Sequence, residues 1–378
     1  MDGYPIEYVP LMNFRGKKIL VTGASGFLGA RLVEYLTLEH RADVRALVRD
    51  LGRSVRLARL PVELAFGDVR NQHAVQSAIK GCSVVLHCAS GIDAGSNPLA
   101  SSTFLGTKIV AELALQHKVE RFVHVSSCAV YGSPGDVQID ESYPLTPRWK
   151  GDIYGSAKIS AEHLLRQLSE GGLPAIIIEP TFIYGPYSVE WSVHPLQVLR
   201  NADYALPEGG ICNPVYVDDV VRSIILAASA TRANGERYLI SGPDVVEWTT
   251  FYKSLEAQGT NGRVISLSED ELSNHLAEER RNRTTLARLR RLASQTEIRA
   301  LIRDLPLASW SYKLVKRFRP SIRTKYAARA SSASFETIAR KPRPLFVPQA
   351  GLLELYRSRS RYSTRKANNE LEIGRAHV

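Results

Sequence analysis

A chain that sets Val21-Thr22-Gly23-Ala24-Ser25-Gly26-Phe27-Leu28-Gly29 between a short apolar run (Lys18 to Val21) and an apolar helical pattern (Phe27 to Leu38) has few folds open to it. Strand, glycine turn and helix in that order form a corner that can hold a pyrophosphate. The first glycine permits the tight turn, the second lets backbone approach the phosphates, and the third lets helix pack on strand. The free N–H groups of the helix start then face the anion. The spacing is G-x-x-G-x-x-G rather than G-x-G-x-x-G.

The pattern that follows fits this start. Apolar strands are predicted at 18–22, 43–48, 62–66, 83–87, 121–126, 175–179 and 237–240, with helical patterns between them at 71–79, 105–116 and 156–168. Continuous apolar strands alternating with amphipathic helices predict an α/β fold, a doubly wound parallel sheet (Rossmann-like) covered on both faces. A smaller C-terminal substrate domain is expected after it. The boundaries read as an N-terminal extension (1–16), the sheet domain (17–180), a substrate-binding region (181–264) that is loop-like over 181–215 and returns in part to the sheet, a basic helical insertion (265–345) and the truncated end of the substrate domain (346–371).

Composition limits the function classes. Residues 1–260 hold 24 Lys and Arg against 27 Asp and Glu, whereas residues 261–378 hold 25 against 11, so the net charge of +11 belongs to the last third. No signal-type start and no run of about 18 apolar residues is present. Cys82, Cys88, Cys128 and Cys212 lack metal-type spacing and read as reduced thiols of a cytoplasmic protein. No nucleic-acid motif is present.

Two further segments carry chemistry. Tyr154 and Lys158, at i and i+4, share one helix face. An ammonium beside a phenol favours the phenolate and moves a pKa of about 10 towards neutrality, giving an acid–base for an alcohol or ketone oxygen. Phe122 to Ser127 is a strand ending in two serines, which delivers a hydroxyl at the sheet's carboxyl edge.

Glycine turn, strand-end Ser127, then Tyr154 and Lys158 in that order resemble the extended short-chain dehydrogenase/reductase family, also called the NAD-dependent epimerase/dehydratase family. Gly67-Asp68-Val69 resembles its adenine-holding segment, Leu86-His87-Cys88-Ala89-Ser90 its fourth-strand motif, and Asp140-Glu141 with Pro144 and Pro147 its E-x-x-P-x-x-P. Pro180-Thr181-Phe182-Ile183-Tyr184-Gly185-Pro186 resembles its nicotinamide-side segment, and Tyr216-Val217-Asp218-Asp219-Val220 its Y-V-D-D-V helix start. The resemblance implies Tyr154 as acid–base, Lys158 holding the ribose and lowering the phenol's pKa, and Ser127 bonding the reacting oxygen. It implies cofactor contacts from Gly23, Ser25, Gly26, Phe27, Leu28, Gly29, Asp68, Val69, His87, Ala89, Ser90, Pro180, Phe182 and Ile183, besides Tyr154 and Lys158. It also implies a homodimer through the two central helices.

Arg49, followed by Asp50 and then Arg53 and Arg56, stands at the end of the second strand, where NAD-binding members place an acid on the adenosine ribose. An arginine there pairs with a 2′-phosphate, so NADP is favoured over NAD, the alternative being Asp50 on the ribose. Cys128 and Ala129 stand where sugar dehydratases of the family carry an Asp-Glu pair, and Glu179-Pro180 where nucleotide-sugar epimerases read Arg-Pro. The expected activity is that of an NAD(P)-dependent epimerase or ketoreductase of a nucleotide sugar. The alternatives are a reductase or dehydrogenase of a small ketone or alcohol, and a non-catalytic NADP sensor.

Residues 305–320 mix aromatic and basic side chains, and peripheral contact with an anionic membrane is one expectation for them. Residues 363–371 resemble a late family segment, K-A-x-x-x-L. Residues 372–378 read as an in-frame translation of a common sequencing adapter and carry no functional weight.

Overall fold

The computed structural model describes Phe14 and residues 16–91, 97–230, 235–278 and 343–371. The first half runs β1 (Lys18–Thr22), α1 (Phe27–Leu38), β2 (Asp43–Val48), β3 (Glu63–Phe66), α2 (Gln72–Ile79), β4 (Val84–His87), α3 (Phe104–Gln116), β5 (Arg121–Val125), β6 (Gln138–Ile139) and α4 (Ile153–Glu170). It continues with β7 (Ala175–Pro180), β8 (Phe182–Tyr184), α5 (His194–Asn201), β9 (Asp203–Pro207), β10 (Pro214–Tyr216), α6 (Val217–Ser229), β11 (Glu236–Ile240), α7 (Trp248–Glu256) and β12 (Val264–Leu267). After the undescribed stretch come β13 (Leu345–Phe346), helix Ala350–Arg357, β14 (Arg361–Tyr362) and helix Arg365–Glu370.

Seven parallel strands form the main sheet in the order β11-β7-β5-β4-β1-β2-β3. All seven predicted strands are present, each within a residue or two of its expected bounds. Period-two alternation decides which face each side chain fills. In β1, Ile19 and Val21 join the core under α1 and α6, with Leu32, Val33, Leu36, Val220 and Ile224. Leu20 joins the opposite core under α2, α3 and α4, with Val75, Ile79, Val110, Leu113 and Leu165. Each such fully buried side chain stabilises the fold by about 1.5–3 kcal/mol.

The Tyr216-Val217-Asp218-Asp219 segment starts α6. Arg31 on α1 donates to both Asp218 oxygens, at 2.7 and 2.9 Å. The bidentate geometry fixes one helix against the other beside the glycine turn.

The region 181–215 is not loop-like. It contains β8, α5, β9 and β10, and its Phe182 and Tyr204 are buried with Trp248, Phe251 and Tyr252 of α7 and Tyr356 of helix Ala350–Arg357 in the core of a second layer. Short strands separated by Pro and Gly carry too little periodicity to be read from sequence. The edges of the expected insertion are also corrected. Residues 264–267 are β12, residues 269–278 are helical, and β12 and β13 both pair with β9. The segments 305–320 and 372–378 lie outside the described residues. Among the described residues, no helix is long and apolar enough to cross a membrane.

Candidate active site

The glycine turn sits at the carboxyl end of β1. Gly23 has φ +67°, and a Cβ there would stand 2.7 Å from the Ala89 backbone, so the turn closes directly on the end of β4. Gly26 caps α1 with extended backbone and no side-chain cap, which leaves the first-turn amides of Phe27, Leu28 and Gly29 for an outside acceptor. Ser25 is half-buried beside them. A cradle of backbone amides on a glycine corner fits a pyrophosphate.

His87 is placed differently from expectation. It is 0 % exposed, with Nδ1 2.7 Å from Thr22 Oγ1 and Nε2 3.0 Å from Thr107 Oγ1. Burial, with Lys158 adding to it, pushes the imidazole down to about 3. His87 is therefore a neutral post between β1 and α3, and it cannot itself contact a cofactor. Ala89 and Ser90, beyond it, are reachable.

Arg49 lies at the end of β2, exposed, with a guanidinium nitrogen 3.5 Å from Asp68. Asp68 is also held by Arg70, whose hydrogen bonds bring the carboxyl down to about 2. Arg53 is exposed. Arg56 reaches the glycine turn, donating to the Phe27 carbonyl at 3.3 Å and stacking 4.4 Å from the centre of the Tyr187 ring. Val69 is buried at the end of the same segment.

The acid–base residues come together at the carboxyl end of β5. Asp152 caps α4 by accepting from the Gly155 amide at 3.0 Å, a contact worth about 1 kcal/mol. A Cβ on Gly155 would lie 2.4 Å from Asp152 Oδ2 and 3.2 Å from the Ala129 carbonyl, so a larger residue there would have to displace the capping carboxylate. Ser127 caps the next short turn, its Oγ accepting from Ala129 N at 3.2 Å. The Tyr154 hydroxyl faces the hydroxyls of Ser127 and Ser90.

Tyr154 is not lowered towards neutrality in this structure. Burial pushes the phenol up to about 12, and the two serine hydroxyls only partly oppose it. Lys158 Nζ lies 6.0 Å from the centre of the Tyr154 ring and donates to the Val125 carbonyl at 2.6 Å. Burial brings the Lys158 ammonium down to about 8, against the Glu162 carboxyl, which raises it.

Residues not singled out from the sequence surround this group. Cys128 is buried, and burial pushes its thiol up to about 11. Behind Lys158, α4 buries Glu162 one turn on, facing Glu179 of β7, Tyr131 and Arg237 of β11. The i+4 spacing from Lys158 is a signal that could have found Glu162; nothing local marks Arg237. In the 180–186 segment, Pro180 and Phe182 are buried and Ile183 half-buried, with the Phe182 ring centre 5.0 Å from that of Trp191, edge to face, and 4.9 Å from that of Trp248, tilted.

The sequence profile of the NAD dependent epimerase/dehydratase family matches residues 19–241. The chain belongs to that family. It is an NAD(P)-dependent enzyme of the extended short-chain dehydrogenase type. Among curated relatives, it is 28% identical over 253 residues to a 4-hydroxy-2-methyl-3-oxo-4-farnesyl-3,4-dihydroquinoline-1-oxide ketoreductase of Stigmatella aurantiaca, covering 65% of this chain and 75% of that protein. It is 29% identical over 246 residues to the UDP-glucose 4-epimerase of Vibrio cholerae, covering 61% and 72%. In fold it is similar to the crystal structure of gox2253, with a TM-score of 0.63 at 24% identity over 95% of this chain and 93% of that one.

Proposed function

We propose that this family member transfers hydride between a nicotinamide and a secondary alcohol or ketone carbon, with Tyr154 moving the proton. The observation that carries the reading is the convergence of Tyr154, Ser127 and Ser90 at the carboxyl edge of the sheet, with Lys158 Nζ 6.0 Å from the centre of the Tyr154 ring. A phenol raised to about 12 is protonated at neutral pH, the form that gives a proton to an oxygen gaining negative charge. Ser127 orients that oxygen. Lys158 holds the cofactor ribose, and its charge supports loss of the phenol proton. Bound nicotinamide supplies or accepts the hydride.

We place ketone reduction first. Cys128 and Ala129 offer no carboxylates for elimination of water, and one relative is a ketoreductase. The second reading is epimerisation or reduction of a nucleotide sugar, favoured by the likeness to a UDP-glucose 4-epimerase. We further propose NADP as the cofactor, with Arg49 and Arg53 on the 2′-phosphate; Arg49 would have to exchange Asp68 for it.

The test is incubation with NADPH or NADP and, separately, UDP-, GDP- and dTDP-sugars and apolar ketones, following nicotinamide absorbance and product. Net cofactor consumption supports reduction; sugar conversion without it supports epimerisation. Tyr154→Phe should lower turnover by about 10²–10⁴-fold with cofactor affinity unchanged. Full turnover in Tyr154→Phe sinks the assignment.

A further inference from the structure

One contact at the carboxyl edge of the sheet takes no part in the reaction as described. A short helical turn, Gly52–Leu57, follows β2, and the 185–188 turn follows β7 and β8. In the sheet, β2 and β7 are separated by β1, β4 and β5. The two turns meet all the same, with the Arg56 guanidinium 4.4 Å from the centre of the Tyr187 ring. They meet at the start of α1, because the same guanidinium donates to the Phe27 carbonyl at 3.3 Å. The pair therefore joins the loop on the β2 side to the loop on the β7 side, beside the uncapped first-turn amides of α1.

Tyr187 is held in a shape that a tyrosine seldom adopts. Its φ is +73°, in the left-handed region that disfavours any side chain. The turn imposes it. Ser188 N donates to the Gly185 carbonyl at 3.1 Å, Ser188 Oγ donates to the Ile183 carbonyl at 3.0 Å, and the Gly185 amide donates to Ser192 Oγ at 3.1 Å. Strain of this kind persists only where the surrounding structure over-determines it, and ligand clamps are one such place. The ring is 63 % exposed, so burial does not explain its position, whereas a ring face offered to a guanidinium does.

Arg56 is also short of a counter-ion. Among the described residues, its one ion-pair partner is Glu34, at 3.9 Å. Glu34 is shared with Arg31, at 2.9 Å, and with Arg59. Arg31 is paired in turn with Asp218. Three guanidiniums thus face two carboxylates. One positive charge is left over beside amides that already attract an anion.

We propose that Arg56 and Tyr187 form a clasp on the pyrophosphate cradle: Arg56 faces the cofactor's phosphates, Tyr187 holds the guanidinium there, and the stack parts before the cofactor leaves. The inference rests on the reading of the glycine turn as that cradle. It gives Arg56 a role distinct from that of Arg49 and Arg53. NAD and NADP share the pyrophosphate, so the clasp acts on both alike.

The experiment is stopped-flow release of NADPH and, separately, of NADH, read by nicotinamide fluorescence as excess oxidised cofactor displaces each. Tyr187→Gly removes the ring and suits a φ of +73°. It should speed release of both nucleotides by about 5–30-fold, while the Tm without cofactor stays at or above that of wild type. Tyr187→Phe keeps the ring and should release at the wild-type rate. Arg56→Gln should also speed release, and the double variant should fall short of the product of the two single effects. Wild-type release in Tyr187→Gly overturns the clasp, and so does a double variant whose effect is the full product. An effect of Arg56→Gln confined to NADPH would put Arg56 on the 2′-phosphate and overturn it as well. A wild type that binds neither nucleotide overturns the cradle reading together with the clasp, whereas binding with unchanged release in the variants overturns the clasp alone.

Discussion

Gly29→Ala separates packing from helix propensity. Gly29 is the third residue of α1 and is buried. Propensity alone favours alanine in a helix by about 0.5–1 kcal/mol. A Cβ at this position would instead lie 2.2 Å from the Gly23 carbonyl oxygen, 2.8 Å from its carbon and 3.1 Å from Ala24 Cα. All three are backbone atoms, so no side chain can rotate away, and helix and turn must part by about 1 Å to reach ordinary contact. Gly23 is itself closed against Ala89. Overpacking of this kind costs about 1–3 kcal/mol, which outweighs the propensity gain. The substitution should therefore lower Tm by several degrees and, because the first-turn amides move with α1, weaken dinucleotide binding tenfold or more, about 1.4 kcal/mol. Thermal unfolding and titration with NADPH and NADH read both quantities. Gly81→Ala is the control: its φ is +77° with nothing within 4 Å, so about 1–2 kcal/mol of stability should go without any change in affinity. A Gly29→Ala protein as stable as wild type with unchanged affinity would refute the reasoning.

Two further substitutions test the supports of the site. Arg237→Leu removes the cation facing Glu162 and Glu179 and should destabilise by about 3 kcal/mol at pH 8, less at pH 5 where both carboxyls can hold protons; equal losses at the two pH values in urea unfolding would contradict the buried-charge account. Leu353→Ala, in the fully buried contact of helix Ala350–Arg357 with Ala205 and Leu267, should cost about 2–5 kcal/mol, and a loss below 1 kcal/mol would mean that this segment does not close the second layer.

The sequence by itself determined the doubly wound sheet and the positions of its chemistry. Strand periodicity, the glycines at 23, 26 and 29, and the Tyr154–Lys158 spacing are local properties, and local backbone geometry alone reproduces them as β1, α1 and α4. Tertiary structure decided what those residues experience. Whether Tyr154 sits near 12 or near neutrality depends on burial against groups from β4 and β5, and no spacing within α4 encodes that balance. His87 reads as a cofactor contact from its motif, yet Thr22 and Thr107, far from it in sequence, enclose it. Tyr362 packs beside Tyr131, and Arg237 reaches Glu179, across 231 and 58 residues of chain. Such pairings arise from the register of β14 on β6 and of β11 on β7, which is fixed only when the sheets assemble.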